Sequence, residues 1–416
     1  MTQPIDGVNL ADPRTFNERD LTDFWTHLRS EEPVHWHPPM DGNPGFWVVS
    51  RYADIMSVYR DNVNFTSERG NLLVTLLAGG DSAAGKMLAV TDGHRHRELR
   101  KIVLKAFSPR ALERISERVR ENTRALVCEA VERGTCDFAE DIASRIPMGT
   151  IADLLGVPPA DRDFLLTMTK AALSSDAVDA DDQDALMARN EILLYFGELV
   201  EERRRSPGDD VISVLAGGQI DGQSLSEDEM VLNCYSLVIG GDETSRLSMI
   251  DSVHTLAHHE RQWQALRDGD VPLSSAVEEV LRWATPAMHF GRTCLADTRV
   301  GGVDIAAGDI VTLWHSSGNR DEAVFDDPGT FALDRSPNKH ITFGYGPHFC
   351  LGAYLARVEV SELLSALRTF SDGFEISGPP QRIHSNFLTG FSSLPVRFEP
   401  RASGRDRYEA TRGAAV

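Results

Sequence analysis

The sequence predicts a mainly α-helical fold with small β-sheets, arranged as a single domain over residues 1–402. From about Thr91 to Gly269, apolar residues recur at helical spacing almost throughout, which indicates a largely helical core. Short β-branched and aromatic runs bounded by glycine or proline occur outside this stretch and are typical of small strands. No repeat, low-complexity tract or linker divides the chain, and we expect residues 403–416 to form a disordered polar tail.

Several elements can be placed individually. A strand is predicted where four β-branched or aromatic residues follow a Pro-Gly pair, and helices where apolar residues recur between charges. The predicted elements are the strand Phe46–Val49, the helices Arg110–Arg133, Gln183–Arg205 and Leu351–Phe370, and hairpins over Gln381–Pro400.

The longest predicted helix runs from Ser226 to about His258. Ser226 and Glu229 form a capping box, in which each side chain accepts a hydrogen bond from a backbone N–H at the other position. Apolar residues fill the middle of this segment. We therefore expect the helix to cross the core.

Composition excludes several classes of function. The 416-residue chain carries a formal net charge of −21 at pH 7, which would repel the phosphate backbone of a nucleic acid. Its polar first twenty residues have neither the apolar region of a signal peptide nor that of a membrane anchor, so we expect a cytoplasmic protein without a membrane partner. Five widely spaced cysteines, an odd number, indicate a reducing compartment and not a disulfide framework.

The decapeptide FGYGPHFCLG holds Cys350 in a glycine-rich loop just before a helix-forming stretch. At a helix N-terminus, free N–H groups and the positive end of the dipole stabilise a thiolate. Gly344, Gly346 and Gly352 would let the backbone approach a flat cofactor closely. A thiolate held in this way can be an axial ligand to haem iron. The third glycine of a dinucleotide-binding loop is missing, and no further Cys or His pair has zinc spacing.

This decapeptide resembles the haem-thiolate loop of the cytochrome P450 family, F-G-x-G-x-H-x-C-L-G. The resemblance spans roughly residues 46–400 and includes four motifs in family order. It implies the cytochrome P450 fold, with a long central helix over a buried haem b. Cys350 would bind the haem iron, and Phe343, Gly344 and Gly352 would contact the cofactor.

A second motif, GGDET, lies midway along the longest predicted helix. Each glycine in a helix costs about 1 kcal/mol relative to alanine, so either a cofactor or close helix packing must justify the pair. The segment resembles the family signature (A/G)-G-x-(D/E)-T. This implies that Gly240 and Gly241 face the haem, and that Glu243 supplies protons which Thr244 relays during O₂ cleavage.

A third motif contains Glu279 and Arg282, which share a helix face at a spacing of three residues. By itself this spacing fits a surface ion pair worth well under 1 kcal/mol. The match to the family's E-x-x-R motif implies instead a buried structural pair beneath the thiolate loop. Arg335 is the residue that we expect to complete it.

The fourth motif concerns the two haem propionates. His96 and Arg100 resemble the family's H-x-x-x-R pair, and Arg292 and His348 match the remaining propionate contacts. The chain departs from the family at Gly93-His94, where prolines are usual, which weakens the signal for a helix start there.

Taken as a whole, the resemblance implies a haem-thiolate monooxygenase that inserts one oxygen atom from O₂ into a C–H bond of a mostly hydrophobic small molecule, in secondary-metabolite biosynthesis. Electrons from NAD(P)H would arrive through a ferredoxin, or a flavodoxin, and its reductase. We expect the electron donor to dock on a local basic patch formed by Arg95, Arg97, Lys101 and Lys105.

The substrate is barely encoded in the sequence. It could be free or attached to a carrier protein, and the apolar residues assigned to its pocket could equally be plain core. His289 is the one possible polar anchor. The predicted lining is Leu88, Ile239, Met288, His289, Phe290 and Leu388.

Two alternatives stay open. One is a haem-thiolate enzyme that couples phenols or other aryl groups, which the Glu243-Thr244 pair does not exclude. The other is a non-catalytic haem or gas-binding protein, which the same pair and the lack of an output domain disfavour.

Overall fold

Helices dominate residues 7–173 and 182–402, the part of the chain that this computed structural model describes. The predicted tail at 403–416 lies outside the described residues. The mainly α fold with small sheets is confirmed. In chain order, the α-helices are α1 Arg14–Glu18, α2 Thr22–Ser30, α3 Tyr52–Arg60, α4 Leu73–Leu77, α5 Gly93–Leu104, α6 Pro109–Arg133, α7 Arg145–Leu155, α8 Arg162–Leu173, α9 Asp182–Arg205, α10 Val211–Ala216, α11 Glu227–His258, α12 Glu260–Asp268, α13 Leu273–Ala284, α14 His315–Gly318 and α15 Ala353–Phe370.

The strands are short and form small sheets. The largest has five strands in the order β1-β2-β10-β7-β3, and a second has the order β11-β14-β4. The remaining six strands pair two by two, as β5-β6, β8-β9 and β12-β13. The strands are β1 Val34–His37, β2 Phe46–Val49, β3 Phe65–Thr66, β4 Thr135–Asp137, β5 Gln219–Ile220, β6 Gln223–Ser224, β7 His289–Cys294, β8 Thr298–Val300, β9 Val303–Ile305, β10 Ile310–Trp314, β11 Ser371–Ile376, β12 Gln381–Arg382, β13 Phe391–Ser393 and β14 Pro395–Pro400.

Helix α11 is the central element, as its sequence predicts. Ser226 caps it, and the reciprocal hydrogen bonds of the capping box with Glu229 are both present. Its 32 residues span on the order of 50 Å at about 1.5 Å per residue. It packs against α7, α9, α13 and α15. The largest apolar cluster of the protein surrounds it and continues into α6 and α15.

The remaining predicted elements hold with small shifts at their ends. Ser108 accepts a hydrogen bond from the N–H of Ala111, so the first amphipathic helix begins at Pro109. The last long helix starts two residues later than predicted, because Cys350 to Gly352 belong to the loop. The predicted hairpins are only partly right. Strands β12 and β13 pair with each other, but β14 pairs with β11 and β4, which buries Val396 and Phe398.

The residues that carry the four motifs come from distant parts of this arrangement. Helices α5, α11 and α13, strand β7 and the loop before α15 supply them. Within residues 7–173 and 182–402, no helix combines the length and the apolar character that crossing a membrane requires.

Candidate active site

The loop before α15 is held in place by its own backbone. The N–H of Cys350 donates to the carbonyl of Phe343 at 3.0 Å, and that of Phe349 donates to Gly346 at 3.0 Å. Gly344 and Gly346 have φ of 68° and 74°, a left-handed conformation that favours glycine. At Gly346 a Cβ would also come within 3.0 Å of a backbone oxygen, so the tight loop requires glycine there.

The surroundings of the Cys350 thiol act on its ionisation in opposite directions. Cys350 has accessible surface, yet the surrounding protein desolvates it, and this burial raises the pKa of its thiol. The N–H groups of Gly352 and Ala353 and the cations Arg100 and Arg357 act in the opposite direction but do not outweigh burial. The N–H groups at the helix terminus thus favour the thiolate, as the sequence predicts, but less strongly than burial opposes it. A metal cation that binds the sulfur would supply the missing stabilisation, because coordination deprotonates a thiol outright.

Three nitrogen-bearing side chains near this loop lack anionic partners. Among the described residues, no carboxylate lies within ion-pair distance of Arg100 or Arg292, although Arg292 is only 7% exposed. His96 is buried and its Nε2 has no hydrogen-bond partner. A buried cation without an anion is costly. This set of donors fits a group that brings two carboxylates, as haem does.

His348, which the sequence assigns to a propionate, is placed differently. Its Nε2 lies 2.7 Å from a carboxylate oxygen of Asp92, and its ring is 4.3 Å from that of His96. Asp92 also accepts hydrogen bonds from Thr66 and from the N–H of Ser67. Burial opposes ionisation of Asp92, but these bonds outweigh it and lower its pKa. Asp92 was not predicted as a site residue, although it directly precedes helix α5, which carries the H-x-x-x-R pair.

The structure brings Glu279, Arg282 and Arg335 together. Arg282 donates from Nε and Nη2 to Glu279, both at 2.7 Å, and Arg335 Nε lies 3.1 Å from the same carboxylate. Glu279 and Arg282 have no exposed surface. The N–H of Ala332 and the amide of Asn338, neither of them predicted, also donate to Glu279. The carboxylate is thus fully satisfied.

Glu278, the residue before Glu279 on α13, connects that helix to the thiolate loop. Glu278 accepts two hydrogen bonds from Arg357, whose guanidinium lies 4.5 Å from the ring centre of Phe343. His340 also bonds to Glu278. Burial works against these contacts, yet together they lower the pKa of Glu278 to about 2. This clamp was not predicted.

The two glycines in the middle of α11 have different surroundings. A Cβ on Gly240 would meet nothing within 4 Å, so this position borders open space. A Cβ on Gly241 would lie 3.0 Å from Ile151 of α7. Gly241 therefore serves close helix packing, and its assignment to the cofactor face is corrected. Thr244 lies one turn after Gly240, and its hydroxyl donates to the carbonyl of Gly240 at 3.2 Å.

The structure does not bring the carboxylate of Glu243 to the hydroxyl of Thr244. Glu243 is buried and accepts two hydrogen bonds from Arg246, at 2.9 and 2.5 Å. Neighbouring residues on a helix point about 100° apart, which separates the two side chains. Asp242 is completely buried, and neither of its carboxylate oxygens has a partner among the described residues. Burial raises its pKa well above the ordinary value.

Only part of the predicted pocket keeps accessible surface. Ile239 and Phe290 are half-buried, whereas Met288 is packed with Phe24, Leu28 and Trp314. Leu388 pairs with Ala287 inside another apolar cluster, and Leu88 is 8% exposed.

His289 does not line an open space, so the prediction that it anchors the substrate by a polar contact is wrong. Successive side chains on a strand alternate between its two faces, so His289 points away from the face of Phe290. It has no exposed surface, and its ring lies 4.4 Å from that of Trp314. Burial lowers its pKa to about 3.

The predicted basic patch is smaller than expected. Arg97, Lys101 and Lys105 are exposed on α5 and the turn after it. Arg95 lies on a different side of the helix, where it forms an ion pair with the buried Glu229 of α11.

Comparison with known proteins decides the family. The profile described as "Cytochrome P450" matches residues 271–399. Cytochrome P450 NovI from Streptomyces niveus is 48% identical over 393 residues, which cover 94% of this chain and 97% of that protein. The chain belongs to the cytochrome P450 family.

Two further P450 relatives extend over nearly the whole chain. Linalool 8-monooxygenase from Pseudomonas putida is 34% identical over 404 residues, or 94% of this chain and 99% of that protein. The crystal structure of P450 OxyD, which is involved in the biosynthesis of vancomycin-type antibiotics, superposes with a TM-score of 0.86. OxyD is 37% identical, and the alignment covers 95% of this chain and 100% of that one. The chain is a P450 monooxygenase, an enzyme that uses haem iron, O₂ and an external source of electrons.

Proposed function

We propose that this P450 inserts one oxygen atom from O₂ into a C–H bond of a mostly hydrophobic small molecule. The observation that carries the proposal is the loop thiol of Cys350 together with His96, Arg100 and Arg292, none of which has an anionic partner among the described residues. In this arrangement Cys350 would bind the haem iron and the three donors would hold the propionates. The bound haem supplies the activation of O₂, and the protein supplies position and protons.

Thr244 is the residue that we assign to proton delivery. It lies one helical turn from Gly240, next to the open space that Gly240 borders, and both side chains share a face of α11. There its hydroxyl can hold and orient a proton-donating water. Glu243 can supply a new proton to this water only after its carboxylate separates from Arg246. The ion pair Glu243–Arg246 therefore controls the proton supply.

The half-buried Ile239 and Phe290 present an apolar surface to the substrate. We propose a role in secondary metabolism, supported by the whole-chain similarity to OxyD, whose pathway makes an antibiotic. The substrate could reach the enzyme as a free molecule or attached to a carrier protein. Measuring the affinity of the enzyme for both forms distinguishes the two routes. Equal affinity for the free acid and its carrier-bound form would remove the carrier hypothesis.

For electron supply we propose a ferredoxin, or a flavodoxin, reduced by its reductase with NAD(P)H in the cytoplasm. Arg97, Lys101 and Lys105 are exposed cations on a chain whose formal net charge is −21, although Lys101 also pairs with Glu98 at 2.6 Å. An acidic electron carrier would be attracted to these cations. The five free cysteines are consistent with a reducing compartment.

Two measurements test the proposal. Purified protein, reduced and exposed to carbon monoxide, should show the absorption band of a thiolate-bound haem, and the variant Cys350→His should lose it. A band of the imidazole-bound type in the native protein would contradict the proposal. Turnover with ferredoxin, reductase, NAD(P)H and ¹⁸O₂ should then give a product with one labelled oxygen. A dimer or a new ring without label would indicate oxidative coupling instead.

A further inference from the structure

We propose that Tyr59 and His315 are positioning residues that hold Arg292 toward a haem carboxylate and thereby set haem retention and redox potential. The inference rests on the proposed placement of a propionate at Arg292. It concerns residues that belong to none of the four sequence motifs.

Tyr59 and His315 form a hydrogen-bonded pair in the interior. Tyr59 lies near the end of α3 and is 4% exposed, and His315 begins α14 with no exposed surface. The hydroxyl oxygen of Tyr59 is 2.6 Å from Nε2 of His315. The two residues are far apart in sequence, so the bond connects α3 to the end of β10. It holds the hydroxyl end of the Tyr59 side chain at a buried position.

The guanidinium of Arg292 lies over that ring. Its central carbon is 5.2 Å from the centre of the Tyr59 ring, within the range of a cation–π contact. Arg292 Nη1 donates to the carbonyl of Gly291 at 2.7 Å, which engages one edge of the guanidinium. With one face and one edge occupied, the orientation of the remaining N–H groups is defined. The ring thus aims Arg292 as well as stabilising its charge.

Tyr59 also contacts the loop that carries Cys350. A Cβ on Gly344 would lie 3.7 Å from the hydroxyl oxygen of Tyr59, and one on Gly346 would lie 3.0 Å from its carbonyl oxygen. Tyr59 therefore lies under the guanidinium of the proposed propionate donor and beside the thiolate loop. A change in the position of Tyr59 would therefore affect the bound haem both through Arg292 and through the loop of Cys350.

His315 suits this role because it adds no charge next to Arg292. Burial lowers the pKa of His315 to about 3, and the nearby His289 and Arg292 act in the same direction. Burial likewise raises the pKa of Tyr59 to about 12. Both groups are neutral at physiological pH. Arg292 keeps its full charge for a carboxylate.

The test compares Tyr59→Leu and Tyr59→Phe with a control on the same helix. Tyr52→Phe is that control, since the Tyr52 hydroxyl also makes one hydrogen bond, but to the backbone carbonyl of Lys339 and not to His315. Haem loss is measured by transfer to excess apomyoglobin, the midpoint potential by spectroelectrochemistry, and stability by thermal unfolding of the holoenzyme.

We expect Tyr59→Leu to lose haem about three- to tenfold faster and to have a lower midpoint potential, because a less neutralised propionate favours the ferric state. Tyr59→Phe keeps the ring and should show the same changes to a smaller extent, at an unfolding temperature close to that of the wild type. Tyr52→Phe should match the wild type. If haem loss and potential were unchanged in Tyr59→Phe and in folded Tyr59→Leu, the positioning role would be refuted.

Arg292→Gln separates this inference from the proposed function. Faster haem loss in Arg292→Gln with no effect in the Tyr59 variants would leave the propionate at Arg292 and remove only the role of Tyr59. Unchanged haem retention in Arg292→Gln would overturn the placement of the propionate, and the inference with it.

Discussion

Buried carboxylates occur in two regions of this molecule, and their surroundings differ. Near the thiolate loop, Glu279 accepts hydrogen bonds from two arginines, one amide side chain and one backbone N–H. Behind α11, Asp242 has no partner among the described residues, and Glu359 of α15 has only the side-chain hydroxyls of Ser245 and Thr150. The first region is a fixed ionic scaffold, whereas the second holds carboxyl groups whose ionisation burial opposes.

This difference has a functional consequence. A scaffold that supports the iron ligand must not change with pH or with each catalytic cycle, so full satisfaction of Glu279 suits it. In the function that we propose, the central part of α11 delivers protons, and acids whose pKa burial raises, next to the Glu243–Arg246 pair, suit that task. The variants below test the contrast, beginning with the largest expected effect.

Glu279→Gln should destabilise the protein by about 3–5 kcal/mol, because it leaves Arg282 and Arg335 buried without their anion. Haem content after purification should fall as well. Denaturant unfolding and the ratio of haem to protein absorbance measure the two effects. The matched control is Asp304→Asn, which breaks the exposed pair with Arg299 at 2.7 Å and should cost well under 1 kcal/mol. Equal effects of the two substitutions would contradict the scaffold role.

Glu359→Gln should change the pH dependence of stability. Burial raises the pKa of Glu359 to about 7 from 4.5, against the hydrogen bonds from Ser245 and Thr150. An acid whose pKa is raised by folding stabilises the folded state fully below pH 4.5 and loses that contribution as pH rises to about 7. When the pH is raised from 5 to 8, the free energy of unfolding of the variant should therefore increase by on the order of 2–3 kcal/mol relative to that of the wild type.

Urea unfolding at the two pH values measures this gain. Glu362→Gln is the control, since Glu362 lies on the same helix but pairs with Arg120, whose side chain is 55% exposed. A difference between Glu359→Gln and wild type that does not vary with pH would show that Glu359 is already ionised in the folded protein.

The features that the sequence could predict are local, and those that it could not predict depend on contacts between distant segments. The capping box at Ser226, the thiolate loop and the E-x-x-R spacing are local patterns, and local hydrogen bonding fixes their structure. The residue that packs against Gly241, Ile151, lies 90 residues earlier in the chain, and the ring beside His289, that of Trp314, belongs to the neighbouring strand β10.

The partner of Glu243 is the exception among the missed features. Arg246 follows it by three residues, so helical spacing alone could have indicated the ion pair. Tyr59 carries no motif at all, and only the packing of α3 against β7 and the thiolate loop reveals its contacts.

Thr244→Ala should reduce the product formed per electron consumed by about tenfold, because the hydroxyl that orients the proton donor is lost. Hydrogen peroxide should account for the diverted electrons. NADPH consumption, product and peroxide are measured in the same reaction. Ser248→Ala is the control, since Ser248 lies one turn further along α11 and its hydroxyl donates to the carbonyl of Thr244. Haem binding should stay unchanged in both variants, and equal coupling in Thr244→Ala would remove Thr244 from proton delivery.

The smallest expected effect is kinetic and involves neither buried region. Replacing Arg97 and Lys101 by Glu should slow reduction by an acidic ferredoxin several-fold at low ionic strength, because it reverses the charge of the exposed surface on α5. At high salt the difference should shrink, since exposed charges are then screened. Stopped-flow reduction measures both rates. Replacing Arg110 and Arg114 by Glu serves as a control, since it makes the same charge change at two exposed positions on α6. An equal slowing by this double replacement would show that net charge, and not the α5 surface, governs the reaction with ferredoxin.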